Sequence, residues 1–204
     1  RRNAQGMPDP RVGQIALNME RWRWMPDDLG SRHILVNVPA FYMAARESGM
    51  PVLEMRVIVG KPENATPIFS DQMETVVFSP YWNVPRSILV NELLPRLERD
   101  PSYLAREDMQ IVGIRRGAAA PANNGEAGIA ALHSGEARLR QRPGPKNALG
   151  GVKFVFPNTM NIYLHATPAR ELFARSRRDF SHGCIRVRDP MALTQFVLRD
   201  RPEW

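Results

Sequence analysis

The chain has 204 residues, of which 43% are hydrophobic and 24% charged, a balance typical of a globular protein with a sizeable core. It contains no run of about eighteen apolar residues, which excludes a membrane-spanning helix, and its single cysteine excludes an internal disulfide. The formal net charge of +7 is compatible with nucleic acid, an anionic membrane surface or an acidic substrate as partner.

The first third of the chain predicts one helix followed by a β-meander. Apolar residues at helical spacing over 12–24 indicate an amphipathic helix. We expect Trp22 and Trp24 to pack this helix onto the next element, as part of a core rather than of a binding site. Runs of β-forming residues separated by turns then predict strands at 33–38, 41–46, 52–59 and 74–79.

Residues 86–140 differ in pattern from the rest of the chain. Their first apolar stripe predicts a helix that Pro95 kinks or ends, and residues 101–109 predict a second helix. Residues 117–125 are rich in Gly, Ala and Asn, which is typical of a loop. Because β alternation resumes only at residues 151–156, we predict a helical insert within a β domain. It acts either as a lid over an active site or as inert decoration.

The last part of the chain returns to a β pattern. One strand carries His165, and a basic loop over residues 169–180 leads to a second strand that begins at Cys184. Asp189 followed by Pro190 predicts the N-cap and first turn of a final amphipathic helix. The fold class predicted for the whole chain is therefore mainly β with peripheral helices (α+β).

Cys184 and His165 are the strongest candidates for chemistry. Side chains alternate faces along a strand, so Cys184 and Arg186 should project together, and so should Tyr163 and His165. Pairing the two strands would bring a thiol, an imidazole and a guanidinium together, which are a nucleophile, a base and an anion anchor. His182 competes for the role of base, but it is two residues from Cys184 and strained for direct contact; its other expected roles are to support the oxyanion region or to hold the loop by a local hydrogen bond. We therefore favour His165.

The turn before Cys184 also has a predicted role. Gly183 permits a tight backbone whose N–H groups, with that of Cys184, can point at a developing oxyanion. A lone cysteine is most often a small buried hydrophobe, and His-x-Cys can also contribute to a zinc site. Zinc needs three or four ligands, whereas one cysteine and four histidines show no spaced cluster. The sequence thus favours a catalytic thiol, with no metal.

The positive charge is concentrated between residues 138 and 188, around the predicted thiol strand. No nucleic-acid-binding motif or aromatic stacking platform accompanies it, so no nucleic acid is expected as a partner. An anionic peptide polymer fits this charge better, and a solvated basic face remains the alternative for the more distant arginines.

Several ordered blocks resemble one known family. His165 followed by Ser181-His182-Gly183-Cys184-Ile185-Arg186 is similar to the signature of the L,D-transpeptidases of bacterial cell-wall synthesis, which have a YkuD-type catalytic domain. Three further blocks resemble the larger, capped subgroup of Gram-negative bacteria; they are Ser79–Pro85, Pro143–Gly150 and Ile162–Pro168. The resemblance covers most of the chain between about residues 55 and 188.

This resemblance implies a YkuD-like β-sandwich or barrel in which the insert at 86–140 forms a helical cap. It implies peptidoglycan stem peptides as donor and acceptor, carbapenem-type inhibitors as reactants, and no cofactor. Acyl transfer through a thioester on Cys184 would give 3→3 cross-links, and the backbone carbonyl of Ala166 would orient the base. Arg186 binds a substrate carboxylate or pairs with an acid. Trp82 either walls a substrate groove, as Tyr163 would, or fills the core.

The resemblance also implies an exported, periplasmic protein, and we expect residues 1–204 to be the catalytic domain of a longer exported chain. Two other functions stay open. An L,D-carboxypeptidase of the same fold would use the same dyad but pass the acyl group to water. A non-catalytic peptidoglycan-binding module would need no reactive thiol.

Overall fold

The computed structural model describes residues 9–114, 125–201 and 203, and its described part is a sheet-rich fold with helices. The strands are β1 Arg32–Asn37, β2 Tyr42–Glu47, β3 Met50–Gly60, β4 Thr75–Phe78, β5 Trp82–Asn83, β6 Met109–Gly113, β7 Ala137–Gln141, β8 Val152–Val155, β9 Leu164–His165, β10 Asp179–Ser181 and β11 Ile185–Val187. The α-helices are α1 Pro10–Arg23, α2 Arg86–Ile88, α3 Leu94–Arg99, α4 Tyr103–Arg106, α5 Glu126–Ser134 and α6 Pro190–Leu198. A π-helical turn, Leu89–Leu93, joins α2 to α3, and 3₁₀ turns lie at Pro62–Asn64 and Arg170–Ala174.

The main sheet has the strand order β1-β2-β3-β11-β9-β8-β4, with β10 pairing with the end of β3. The predicted meander is confirmed, since β1, β2 and β3 pair antiparallel in succession. The predicted pairing of the two motif strands is also confirmed, because β9 and β11 are parallel neighbours with His165 opposite Arg186. On the other side of β9, His165 lies opposite Lys153 of β8. Three adjacent strands therefore place Lys153, His165 and Arg186 in one row.

One face of the main sheet forms a core, called here the main-sheet core. Alternate residues of its central strands are buried there, as expected for strands with one face packed; they include Met43, Val57, Phe154, Ile185 and Val187. Helix α6 covers this face through Leu193, which is fully buried. The predicted N-cap of α6 is confirmed, because Asp189 Oδ1 accepts a hydrogen bond from the backbone N–H of Ala192 at 3.0 Å.

A second core lies within the segment where we predicted a helical insert. It contains leucines from α3, α4, α5 and β7, namely Leu94, Leu97, Leu104, Leu132 and Leu139. The segment is more than helical, because β5, β7 and β6 form a separate three-stranded antiparallel sheet beside these helices. The insert boundaries at 86–140 stay a prediction, and most of the predicted loop 117–125 lies outside the described residues.

The helix predicted over 101–109 is wrong in its second half. Helix α4 covers only four residues, because Asp108 adopts a left-handed conformation, φ 53°, and turns the chain into β6. Met109 and Ile111 then bury alternate side chains as a strand. The neighbouring prediction at Pro95 is confirmed as an irregularity: the π-helical turn ends just before this residue, where an ordinary helix would lose a backbone hydrogen bond.

Helix α1 forms as predicted, but its packing was predicted wrongly. Local signals are sufficient for the helix, since Asp9 accepts a capping bond from the N–H of Arg11 and Pro10 occupies the first turn. No residue of α1 is buried, and Trp22 and Trp24 are 58% and 65% exposed. Amphipathic spacing fixes a common face but cannot supply a partner for it. Among the described helices, none is long and apolar enough to cross a membrane.

The main-sheet core should contribute strongly to the stability of the main sheet. We expect Phe154→Ala to lower the free energy of unfolding by about 3–5 kcal/mol, because this side chain is fully buried and leaves a large cavity. The control is Phe78→Ala on the neighbouring strand β4, whose side chain is 45% exposed and should lose less than about 1 kcal/mol. Urea unfolding of both variants measures the difference. Equal losses would contradict this assignment of the core.

Candidate active site

A cavity of about 580 Å³ lies between the main sheet and the second core. The main sheet lines it with the row Lys153, His165 and Arg186, and with Cys184 and Tyr163. The opposite wall comes from the insert side and includes Tyr81, Trp82, Arg86 and Ile88. The structure therefore brings together six of the eight site residues named from the sequence, which are Cys184, His165, His182, Tyr163, Arg186 and Trp82. Gly183 and Ala166 are buried and do not line the cavity.

Two buried hydroxyl groups hold the turn that carries the thiol. Ser181 Oγ accepts from the N–H of Gly183 at 3.1 Å and donates to the carbonyl of Cys184 at 2.6 Å. Thr66 Oγ1 accepts from the N–H of Gly60 at 2.9 Å and donates to the carbonyl of Gly183 at 2.7 Å. Each hydroxyl thus both donates and accepts, so the turn is fixed both internally and to the end of β3.

Gly183 has a different role from the one we predicted. Its φ of 114° suits glycine, and a Cβ at this position would lie 3.0 Å from Ile162 Cδ1. Because its N–H is already bonded to Ser181, Gly183 is not a free oxyanion donor. The backbone N–H of Cys184 forms no hydrogen bond with any described residue and remains available for that role.

The thiol of Cys184 is half-buried, and its sulfur lies 3.5 Å from the carbonyl oxygen of Asn161, to which it donates. Within the described part of the chain, the thiol and the His165 imidazole form no direct hydrogen bond, although both line the cavity. Burial raises the pKa of the Cys184 thiol above its ordinary value, and Tyr163, Lys153 and Arg186 offset this only in part. Catalytic hydrogen bonds often form only when substrate binds, so this geometry is compatible with a resting site.

His165 is buried and is held in one tautomer. Its Nδ1 donates to the backbone carbonyl of Ala166 at 2.5 Å, which is the contact that the family resemblance implied. With the proton on Nδ1, the other ring nitrogen, Nε2, carries the free lone pair of a base. Burial and the neighbouring Arg186 lower the pKa of His165 to about 3, so the imidazole is neutral at physiological pH.

His182 points away from the role of base and towards the insert. Its Nε2 lies 2.5 Å from Oε1 of Glu92, which belongs to the π-helical turn. Both side chains are partly exposed, at 32% and 45%. This contact joins the thiol turn directly to the segment that forms the second core.

Trp82 and Asn147 connect the insert segment to the cavity. Trp82 packs against the second core and also lines the cavity, a position that fits both of its predicted roles. Asn147, which lies in one of the family-like blocks, is almost fully buried and donates to the carbonyls of Pro80 at 3.0 Å and Arg142 at 2.9 Å. It ties the chain just before Trp82 to the end of β7.

Sequence reasoning missed three residues of this site. Lys153 could have been found, because it stands between the core residues Val152 and Phe154 and must therefore face the other side of β8. Thr66 and Glu92 gave no comparable signal, since each contact joins residues far apart in the sequence. Among the described residues, no group of three or more His, Cys, Asp or Glu side chains is arranged to hold a metal ion.

Comparison with known proteins identifies the same family that the sequence motifs resemble. The profile of the YkuD family, described as an L,D-transpeptidase catalytic domain, matches residues 31–202. A Haemophilus influenzae protein named "Putative L,D-transpeptidase" is 34% identical over 187 residues, which is 92% of this chain and 37% of that protein. The chain thus spans little more than a third of the length of this relative.

Solved structures with related shapes are more distant. An L,D-transpeptidase from Mycobacterium smegmatis has 14% identity and a TM-score of 0.41, covering 82% of this chain and 54% of that one. L,D-transpeptidase 3 from Mycobacterium tuberculosis, in complex with a faropenem-derived adduct, has 13% identity and a TM-score of 0.40, covering 77% and 51%. At these scores the two structures add no argument about the present site.

The class of protein follows from the family profile and the cysteine-centred cavity. The chain belongs to the YkuD family of L,D-transpeptidase catalytic domains, whose profile matches residues 31–202.

The protonation states of the dyad predict a specific pH profile. Alkylation of Cys184 by iodoacetamide should keep accelerating through pH 9.0, the ordinary pKa of a thiol, because the thiolate reacts and burial raises its pKa. His165 is protonated only below about pH 3, so no step near pH 6.5 is expected. His165→Gln is the control and should keep the same profile shape. A rate plateau at neutral pH would instead indicate a thiolate–imidazolium pair.

The contact between His182 and Glu92 should order the thiol turn. We expect Glu92→Ala to speed amide hydrogen exchange in residues 181–184 by about two- to fivefold, the effect of losing a partly exposed hydrogen bond between two side chains. Glu98→Ala is the matched control, because Glu98 makes a similar contact with His133, at 2.7 Å, elsewhere in the insert segment. Equal exchange in the two variants would show that Glu92 does not order the turn.

Proposed function

We propose that this domain is a peptidoglycan L,D-transpeptidase that uses Cys184 as nucleophile and His165 as general base. The observation that carries the proposal is the shared cavity, in which the chain's single cysteine lies with a neutral, oriented imidazole and cationic side chains. The family membership supports the reaction type. Carbapenem-type β-lactams are the covalent ligands we expect, because the proposed mechanism acylates Cys184.

In the proposed acylation, Cys184 Sγ attacks the carbonyl that joins the diamino acid of a tetrapeptide stem to its terminal D-alanine. The thiol proton passes to Nε2 of His165, which is neutral and has its lone pair free. The backbone N–H of Cys184 stabilises the oxyanion. Collapse of the tetrahedral intermediate breaks the C–N bond, and the proton leaves with the amine of D-alanine.

In the proposed second step, the side-chain amine of another stem attacks the thioester. His165 accepts the proton from this amine and returns it to the sulfur as the thiol leaves, so the enzyme is regenerated with a 3→3 cross-link formed. The thioester keeps the acyl group activated between the two steps. Because one amide bond is exchanged for another, no external source of energy is needed. None of these steps requires a cofactor.

The place of action is part of the proposal. A peptidoglycan substrate lies in the cell envelope, so the protein would act in the periplasm as an exported enzyme. The net charge of +7 supports an anionic polymer as substrate, because it favours association with one.

The test is mass spectrometry of muropeptides after incubation with disaccharide-tetrapeptides. The wild-type domain should release D-alanine and form 3→3 dimers, whereas Cys184→Ser should form none while remaining folded. His165→Ala should lower the rate of acylation by roughly 10²–10⁴, the usual contribution of a general base. The control His133→Ala, on an exposed histidine outside the cavity, should leave the rate unchanged.

The products separate this function from its rivals. Release of D-alanine with tripeptides and without dimers would identify an L,D-carboxypeptidase. Dimer formation by Cys184→Ser would refute the cysteine mechanism. If the wild type binds peptidoglycan but Cys184 forms no covalent adduct with a carbapenem, the domain is a binding module.

A further inference from the structure

The charges that line the cavity are all of one sign. Three cationic side chains, Lys153, Arg186 and Arg86, contribute to its wall, and the described lining residues include no aspartate or glutamate. A concave site with cationic walls attracts anions, and each buried cationic group in it needs an acceptor. The contacts of the three charges decide which of them are free to bind a ligand.

Arg86 already has protein acceptors. Its guanidinium donates to the carbonyls of Leu132 and His133, the latter at 2.8 Å, in the last turn of α5. Carbonyls at this end of a helix are unsatisfied within the helix, and a cation is favourable there. The charge of Arg86 is therefore used to fix the insert segment.

The side chains of Lys153 and Arg186 lack such acceptors: with the described residues, neither forms an ion pair or a side-chain hydrogen bond. Nε of Arg186 is buried and has no hydrogen-bond partner among the described residues. The Lys153 amine lies 3.8 Å from the centre of the Tyr163 ring, which is a weaker interaction than a carboxylate would offer. Burial lowers the pKa of both cations, as expected for charges without a counter-ion.

The position of the two cations relative to the dyad is set by strand register. Lys153 and Arg186 are the partners of His165 on its two sides, and the thiol stands at the start of the strand that carries Arg186. An anionic group held between them would lie next to the reacting sulfur. In a tetrapeptide donor, the carboxylate nearest the scissile carbonyl is that of the terminal D-alanine itself.

We propose that Lys153 acts with Arg186 to bind the terminal carboxylate of the donor, and that the Tyr163 ring holds the Lys153 amine until this anion arrives. The identity of the donor rests on the proposed function, whereas the anion site does not. Because the carboxylate must reach both cations while the carbonyl reaches Cys184, the site selects donors with one residue beyond the scissile bond. A longer peptide would place its carboxylate about one residue, roughly 3.5 Å, too far away.

The anion site can be tested without any transpeptidase assay. Iodoacetate and iodoacetamide alkylate the same sulfur and differ in that one carries a carboxylate. We expect the ratio of their rate constants, iodoacetate over iodoacetamide, to fall about tenfold in Lys153→Met, the effect of removing one nearby charge. Arg186→Gln should lower it similarly, and Lys153→Arg should restore it. The matched control is Arg188→Gln. Arg188 is an exposed arginine at the end of the same strand, and it does not line the cavity, so the ratio should stay unchanged in this variant.

Comparing the two reagents also distinguishes carboxylate binding by Lys153 from a general effect of Lys153 on the reactivity of the Cys184 thiolate. If Lys153 only stabilised the thiolate, Lys153→Met would slow both reagents equally and leave the ratio unchanged, which would overturn the proposal. Lys153→Gln repeats the measurement if Lys153→Met does not fold. An unchanged ratio in folded Lys153→Met or folded Lys153→Gln would overturn the proposal.

Donor selection is tested with a tetrapeptide whose terminal carboxylate is free and with its C-terminal amide. The wild type should use the amide with a kcat/KM at least about tenfold lower, and Lys153→Met should reduce this preference. Equal use of the two donors by the wild type would overturn the proposed carboxylate contact. If neither donor reacts, the proposed function fails, and the alkylation ratio alone decides whether the anion site exists.

Discussion

The whole site depends on two hydroxyl groups that tie the thiol turn to the main sheet. Thr66 links the backbone of Gly60, at the end of β3, to that of Gly183, and Ser181 closes the turn around it. The approach is so close that a Cβ on Gly60 would lie 3.0 Å from the Cα of Gly183. The position of Cys184 is therefore set by buried hydrogen bonds to rigid strands rather than by the flexibility of a loop.

The electrostatics of the site describe a thiol and an imidazole that do not form a thiolate–imidazolium pair. His165 stands between two cations in one row of the sheet, and this together with burial keeps its imidazole neutral. The same burial keeps the proton on the thiol. A neutral imidazole beside a neutral thiol avoids the cost of a buried ion pair until a substrate is present to be attacked. The charges of Lys153 and Arg186 are then left for the ligand.

The sequence predicted those parts of the structure that follow from local patterns and from one family signature. Strand alternation correctly paired the strands of His165 and Cys184, because side-chain direction in a strand is determined by the backbone. It failed where the outcome depends on distant contacts. The exposure of Trp22 depends on whether any element covers α1, and the position of Glu92 depends on a π-helical turn beside Pro95. The bonded N–H of Gly183 likewise required knowledge of the Ser181 rotamer.

The row of cations has a further consequence for the second half of an acyl-transfer reaction. In the proposed reaction, once the leaving residue had carried its carboxylate away, Lys153 and Arg186 would again face the cavity without a counter-ion among the described residues. Positive charge on both sides of His165 repels an incoming ammonium group and lowers the pKa of an amine that enters. Under the proposed function, an amine acceptor would therefore meet the thioester as the free base, which is its nucleophilic form.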